Sequence, residues 1–298
     1  MVPGLMFHAL RGHRDSQHQP WISLLWLAVG LLVNIFLNWI WMYGNWGFPR
    51  MGLAGAGWAT LVSRLVMLIG LWFTPGRGPV NWLDGLQRKV FARLLHTGLP
   101  AGFHSLSEVG IFAVVPVFAG WISSTAQAAH QVAISTASAA FMLPLGLGIA
   151  AGIRVGEAYG AKDRVRVRAV GWGALILGGL MMSFYGLMMI LLRPFLLEMY
   201  GVAGTETAFL ASTLLIFAAL WAPFDGSQVV VAYLLRSIDC ATWASSSVFI
   251  VYWLITLPLA LFLAFPLHLG AVGIWIALAT GLMLVALVMT WKFWQATR

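Results

Sequence analysis

Four long stretches of this chain carry no formal charge: Ser16–Pro49, Val109–Ile153, Ala169–Leu192 and Cys240–Trp291 contain no Asp, Glu, Lys or Arg. A helical run of about 20 apolar residues crosses a hydrocarbon layer about 30 Å thick, so each stretch has room for one or two crossings. Soluble domains carry about 25% charged residues; here 9% of 298 residues are charged and 61% are hydrophobic. That leaves too little polar surface for a water-facing fold of this size. Transmembrane β-strands would alternate polar and apolar residues over about 10 positions, whereas these runs are apolar on all sides. The pattern predicts an all-α polytopic membrane protein.

Turn signals and charges divide the chain into eight spans, at about 21–45, 51–73, 98–122, 127–153, 169–192, 209–232, 245–265 and 271–291. Gly/Pro-rich joints separate the first two (Trp46-Gly47-Phe48-Pro49) and the last two (Pro266 to Gly270). The polar break from Thr74 to Lys89 is the best domain boundary, with Val90–His96 as an amphipathic lead-in to the third span. On this division 14 of the 17 Lys and Arg fall on one side of the membrane. Arg50 and Arg193 fall on the other, and Arg64 lies inside the second span, where its side chain is expected to snorkel to the inner face. The bias predicts cytoplasmic termini. It also explains the net charge of +8 without nucleic acid as a partner; the expected surroundings are the lipid bilayer. Trp21, Trp46, Trp82, Trp291 and Trp294 sit near span ends, as interfacial anchors do. The single cysteine, Cys240, excludes an internal disulfide.

Leu10-Arg11-Gly12, a long apolar run, Phe48-Pro49 and then Gly52-Leu53-Ala54-Gly55 open the chain. Leu235-Arg236-Ser237, a similar run, Phe265-Pro266 and then Gly270-Ala271-Val272-Gly273 close it. The repeated order suggests a parallel internal repeat of the kind common in transporters. It divides the chain into 1–73, the remnant of a first lobe; 74–97, a cytoplasmic linker; and 98–298, a complete six-helix second lobe. Residues 1–10 lack the basic and apolar regions of a signal peptide and are expected to be the tail of a helix.

A carboxylate at mid-bilayer costs roughly 2.5–3.5 kcal/mol on insertion scales and is usually functional. Two of the nine acids lie inside spans, Glu108 and Asp225, and neither has a Lys or Arg within one helical turn. His104 precedes Glu108 by four residues on the same face; Trp221 and Gln228 flank Asp225 at i−4 and i+3. Gln127, Gln131, Ser135 and Ser138 form a polar stripe with His130 beside it. The pair of acids reads either as a cation or proton site or as protonated groups bonded between helices. Asn34 and Asn38, one turn apart, with Thr60 on the next span, offer oxygens suited to a hard cation or polar glue between helices. Pro116, Pro144 and Pro223 are candidate kinks. Zinc, nucleophile-elbow and phosphate-loop motifs do not occur, which points away from an enzyme. The glycines of Gly156-x-x-x-Gly160, in a basic loop, are expected to make a tight turn.

Seven of these stretches, in order, resemble multidrug and toxic compound extrusion (MATE) transporters of the NorM type: Asn34–Asn38, Gly52–Thr60, Gly98-Leu99-Pro100 leading to Glu108, Ala129-His130-Gln131, Pro144-Leu145-Gly146, Val155–Gly160 and Phe224-Asp225-Gly226-x-Gln228. The resemblance covers nearly the whole chain. It implies a twelve-helix, two-lobed antiporter of the bacterial inner membrane, exporting small cationic amphipathic drugs against inward Na⁺ or H⁺, with no bound cofactor. Residues 1–73 would correspond to the end of helix four through helix six. Glu108 and Asp225 would hold the coupling ion, and Asn34, Asn38 and Thr60 would be part of a first-lobe cation site whose acid-bearing helix is missing. Some members carry a hydroxyl-bearing aromatic where this chain has Trp221. Along the substrate path the candidates are His104, Phe112, His130, Gln131, Phe141, Met142, Trp221 and Gln228. Two other expectations compete: a transport-incompetent fragment needing a missing N-terminal half or a second copy, and a lipid or oligosaccharide flippase of related fold.

Overall fold

The computed structural model describes residues 2–17, 19–74 and 88–298. Most of the linker expected at 74–97, with Arg77 and Trp82, lies outside them. Among the described residues, eight helices are long and apolar enough to cross a bilayer: Pro20–Met42, Leu53–Phe73, Val90–Ile122, Ser124–Gly160, Arg164–Leu191, Glu206–Ser237, Ala241–Ala264 and Gly270–Thr297. These are the eight spans predicted, and the chain is an all-α membrane protein. The helices outrun the apolar stretches, because a backbone hydrogen-bond ladder has no reason to stop where lipid does. α5 (Ser124–Gly160) has 37 residues, about 55 Å at 1.5 Å per residue. It stays helical through Gly156 and Gly160, so the expected tight turn there does not form; the bend comes at Lys162, with φ 58°. Asp163 then caps α6 (Arg164–Leu191) by accepting from the Arg166 amide at 3.0 Å.

The chain divides into two compact units, 1–85 and 86–298. In the first, α1 (Val2–Ser16), α2 (Pro20–Leu37, continued by a π turn at Asn38–Met42) and α3 (Leu53–Phe73) pack together. Arg14, buried on α1, donates to the carbonyl oxygens of Leu71 and Thr74, so a cation caps the C-terminus of α3. Trp26 donates to the Thr74 hydroxyl at 2.8 Å while its ring fills the notch left by Gly70. Arg64 lies along Gly4 of α1, beside a void of about 330 Å³.

The second unit holds α4 (Arg88–Ile122), α5, α6, α7 (Arg193–Met199), α8 (Glu206–Ser237), α9 (Ala241–Phe249), α10 (Leu257–Ala264) and α11 (Gly270–Thr297). A π-helical stretch, Ile250–Thr256, joins α9 to α10 within one continuous span. α8 is the hub, packed most extensively on α5, α6 and α11. Its contacts are close because facing residues are small, as they are in helix packing within lipid. Pro223 has no amide proton for the Ala219 carbonyl; that oxygen faces α6 at Gly186, 2.6 Å from where a Cβ would sit. Gly226 makes the matching notch for Met182. Large side chains such as Leu180, Phe184, Phe209, Leu220 and Leu254 are exposed on the outside, as a lipid-facing surface requires.

The hairpins that carry the two glycine pairs are built alike. Gly52 and Gly270 open the second helix of each at φ 54° and 56°. Gly55 and Gly273 let the preceding helix approach so closely that a Cβ would lie 2.6 Å from the Trp41 oxygen or 2.8 Å from the Leu263 backbone. Each preceding span contains a π turn.

Gly186 and Gly173, both on α6, separate packing from helix propensity, because a Cβ at Gly173 meets nothing within 4 Å. Gly186→Ala should lower stability by about 1–2 kcal/mol through overpacking. Gly173→Ala should raise it by up to about 1 kcal/mol. Thermal unfolding in detergent micelles measures both.

Candidate functional site

Glu108 and Asp225 line one cleft of about 260 Å³ inside the second unit. α4 contributes Glu108, Val109 and Phe112; α5 contributes Ile134, Ala137, Ser138, Phe141 and Met142; α8 contributes Trp221 and Asp225; and α11 contributes Leu282. The two acids come from helices far apart in sequence and are the cleft's charged groups. Asp225 and Trp221 share its wall because they are one turn apart on α8.

α4 is held in register by α9 and the π stretch. Ser245 donates to the Pro100 carbonyl at 2.5 Å, and Trp253 donates to the Ser107 carbonyl at 3.2 Å. Phe103 meets Phe249 with ring centroids 5.2 Å apart. These contacts hold the two turns of α4 that lead to Glu108. Its side chain, 17% exposed, accepts from Gln228 Nε2 at 2.9 Å through Oε1, and its Oε2 lies 3.8 Å from His104 Nε2. Among the described residues no Lys or Arg is within ion-pair distance of either acid. Arg236 stacks on Tyr233, its guanidinium carbon 5.0 Å from the ring centre.

Trp221 is stacked on Trp275 of α11, centroids 4.4 Å apart and planes within 6°. Trp275 in turn donates its indole proton to His130 Nδ1 at 3.1 Å. His130 therefore carries its own proton on Nε2 when neutral, and it anchors an aromatic wall rather than facing the cleft. Trp221, backed by Trp275 and beside a carboxylate, shares the lining with Phe112, Phe141 and Met142, which offers negative charge and polarizable walls. Those are the features that attract flat or delocalised cations.

Of the residues singled out in the sequence, Glu108, Asp225, Phe112, Phe141, Met142 and Trp221 line the cleft. His104, His130 and Gln228 are buried behind it, exposed by 2%, 1% and 0%. Gln131 is exposed and donates to Ser135 at 3.0 Å, outside the cleft. In the first unit Asn38 donates to the backbone oxygen and to Oδ1 of Asn34, at 2.9 and 3.0 Å. Asn34 turns its own amide to Ser63 at 3.4 Å, and Thr60 donates back to Ala56 in its own helix. Ser63, not Thr60, is thus the hydroxyl bonded to Asn34.

Two residues of the site escaped the sequence reading. Tyr252 donates to Gln228 Oε1 at 2.5 Å, and Trp275 backs Trp221. The available signal was a tyrosine and a tryptophan well inside the charge-free run Cys240–Trp291, where a buried O–H or N–H must find an acceptor.

The geometry agrees with comparisons to known proteins. The family model MatE matches residues 100–262. The probable multidrug resistance protein NorM of Brucella suis is 37% identical over 97% of this chain and 64% of its own length. Its namesake in Mesorhizobium japonicum is 34% identical over the whole chain and 66% of its own length. The chain thus spans just under two thirds of the length of these relatives. A crystal structure of MATE in the bent conformation has the same fold, with a TM-score of 0.84 at 20% identity, covering 98% of this chain and 65% of that one. The sequence stretches, the eight-span helical fold and the family match lead to one conclusion: this chain belongs to the MatE family.

Proposed function

We propose that the protein acts in the efflux of cationic amphipathic compounds, and that Glu108 and Asp225 are the point at which an inward-moving Na⁺ or H⁺ is exchanged for an outgoing organic cation. The observation that carries this reading is the cleft itself: two acids with no Lys or Arg within ion-pair distance among the described residues, set among aromatic and methionine side chains. The NorM relatives are named as multidrug resistance proteins, which supports the substrate class.

The exchange follows from charge balance in a medium of low dielectric. Two carboxylates facing one small cleft repel each other unless something positive shares it, and an inorganic ion, a proton or an organic cation each satisfies that demand. Occupancy by one excludes another. Arrival of the coupling ion from outside releases the drug, and its departure inside restores the vacant, attractive site. A unit charge crossing 100 mV is worth about 2.3 kcal/mol, and one pH unit about 1.4 kcal/mol, so either gradient supports about tenfold accumulation or more. Alternating access takes two lobes. In this reading the second unit is one lobe, and the first unit joins further helices from additional polypeptide or a second copy. The bilayer is the bacterial inner membrane, with both termini cytoplasmic.

Binding of tetraphenylphosphonium to the full chain in lipid nanodiscs tests the site without requiring transport. Glu108→Gln combined with Asp225→Asn should weaken binding at least about tenfold, the scale of ~1.4 kcal/mol, while thermal stability is kept or raised. Unchanged affinity in the double variant would refute the site. Solvent access to the cleft is tested separately in a Cys240→Ser background. Ser138→Cys, which lines the cleft, should react with a cationic methanethiosulfonate and be protected by tetraphenylphosphonium. Ala133→Cys, buried on the same helix, should stay unreactive, as buried thiols do.

A further inference from the structure

Behind the cleft, three helices contribute a line of polar groups. The Tyr252 hydroxyl donates to Gln228 Oε1 at 2.5 Å, and Gln228 Nε2 donates to Glu108 Oε1 at 2.9 Å. Tyr252 is 1% exposed and Gln228 is fully buried, so bulk water does not reach either side chain. A primary amide has one accepting and one donating face. A bare carboxylate draws the N–H face toward itself. An alkali cation held by that carboxylate would instead draw the carbonyl oxygen. The choice matters for selectivity, and Glu108 does not make it alone.

Tyr252 tips the balance. Among the described residues its hydroxyl has no hydrogen-bond partner other than Gln228. A phenolic oxygen also accepts, so a flipped amide would still find it, but the Tyr252 proton would then be stranded in an apolar core, an arrangement that costs more than a lost hydrogen bond. The π-helical stretch Ile250–Thr256 fixes Tyr252 where this bias operates: Trp253 bonds to Ser107, next to Glu108, and Thr256 sits in the notch at Gly281.

We propose that Tyr252 is a positioning residue that sets cation selectivity: by holding the Gln228 carbonyl away from Glu108, it withholds a neutral oxygen ligand and weights the site toward bulky organic cations over Na⁺. Hard cations are held by oxygen ligands, whereas a delocalised cation asks only for negative charge and apolar walls. This inference rests on the reading of Glu108 and Asp225 as a cation site.

The test is displacement of tetraphenylphosphonium by NaCl, with choline chloride as the ionic-strength control, from the full chain in nanodiscs. Tyr252→Phe keeps the shape of the side chain and removes the hydroxyl, freeing the amide to turn. Na⁺ should then displace the probe at about fivefold lower concentration, the scale of one net polar contact, with probe affinity held within about twofold. Tyr252→Phe combined with Gln228→Leu should lose that gain, because the added ligand is the amide oxygen. Na⁺ competition that Tyr252→Phe leaves unchanged or weakens overturns the inference. So does a parallel loss of affinity for probe and Na⁺, the mark of a merely structural role. Probe binding indifferent to Glu108→Gln in the parent chain overturns the cation-site reading and this inference with it. Glu108-dependent binding with unaltered Na⁺ competition overturns this inference alone.

Discussion

α8 must be buried on three sides and still keep a carboxylate open to a cleft, and that double demand organises the second unit. No single helix face meets it without very close packing elsewhere. The closeness comes from Gly186 on α6, which takes the Ala219 carbonyl left unpaired by Pro223, and from Gly226, which takes Met182. With α6 seated so tightly, Trp221 and Asp225 are left on the wall shared with α4, α5 and α11, where the cleft forms. Gln228, less than a full turn beyond Asp225, points past the cleft to the α4 and π-helical side. The same proline therefore serves packing and site: the backbone oxygen it releases faces the gap at Gly186 of a neighbouring helix, and the carboxylate two residues on lines the cleft.

Polar groups around the cleft are arranged in depth rather than strewn along its walls. Glu108, Asp225 and Ser138 face the open space, with aromatic, aliphatic and methionine side chains between them. His104, Gln228 and Tyr252 stand behind Glu108, and His130 stands behind the tryptophan stack. Buried polar groups carry a penalty unless paired, so this hidden layer constrains geometry strongly. It fixes which oxygen of Glu108 and which face of Trp221 the cleft presents.

The broad architecture was legible because lipid imposes a simple rule on sequence: charges are excluded from the hydrocarbon layer, so charge-free runs mark spans. Glu108 and Asp225 stood out for the same reason. Helix ends were not legible, since α5 and α6 continue into basic segments where nothing apolar signals their course; Gly156 and Gly160 looked like a turn and are helical. The glycine pairs at Gly52/Gly55 and Gly270/Gly273 were visible as an order of residues, and their shared positive φ and close backbone approach supply the reason for it. Partners across long sequence separations stayed hidden. Nothing in one sequence says that Tyr252 meets Gln228, or that Ser63 rather than Thr60, three residues earlier on α3, bonds to Asn34. The π turns were equally silent, because they change hydrogen-bond register without a distinctive composition.

The cleft supplies charge generously and coordination sparingly, and these are different currencies for different cations. A small alkali ion gives up its water only when protein oxygens replace the hydration shell. Among the described residues that line the space, those with side-chain oxygens are Glu108, Asp225 and Ser138, while the nearby amide oxygen of Gln228 is engaged by Tyr252. A large organic cation spreads its charge, holds water weakly and would gain from aromatic walls of the kind Trp221, Phe112 and Phe141 provide. On the proposed cation-site reading, a site rich in charge and poor in neutral side-chain ligands would discriminate by the cost of dehydration rather than by shape. If the cleft serves the proposed efflux, that form of selection suits cations of many outlines, because it constrains the charge and hydration of the ligand while leaving its contour free.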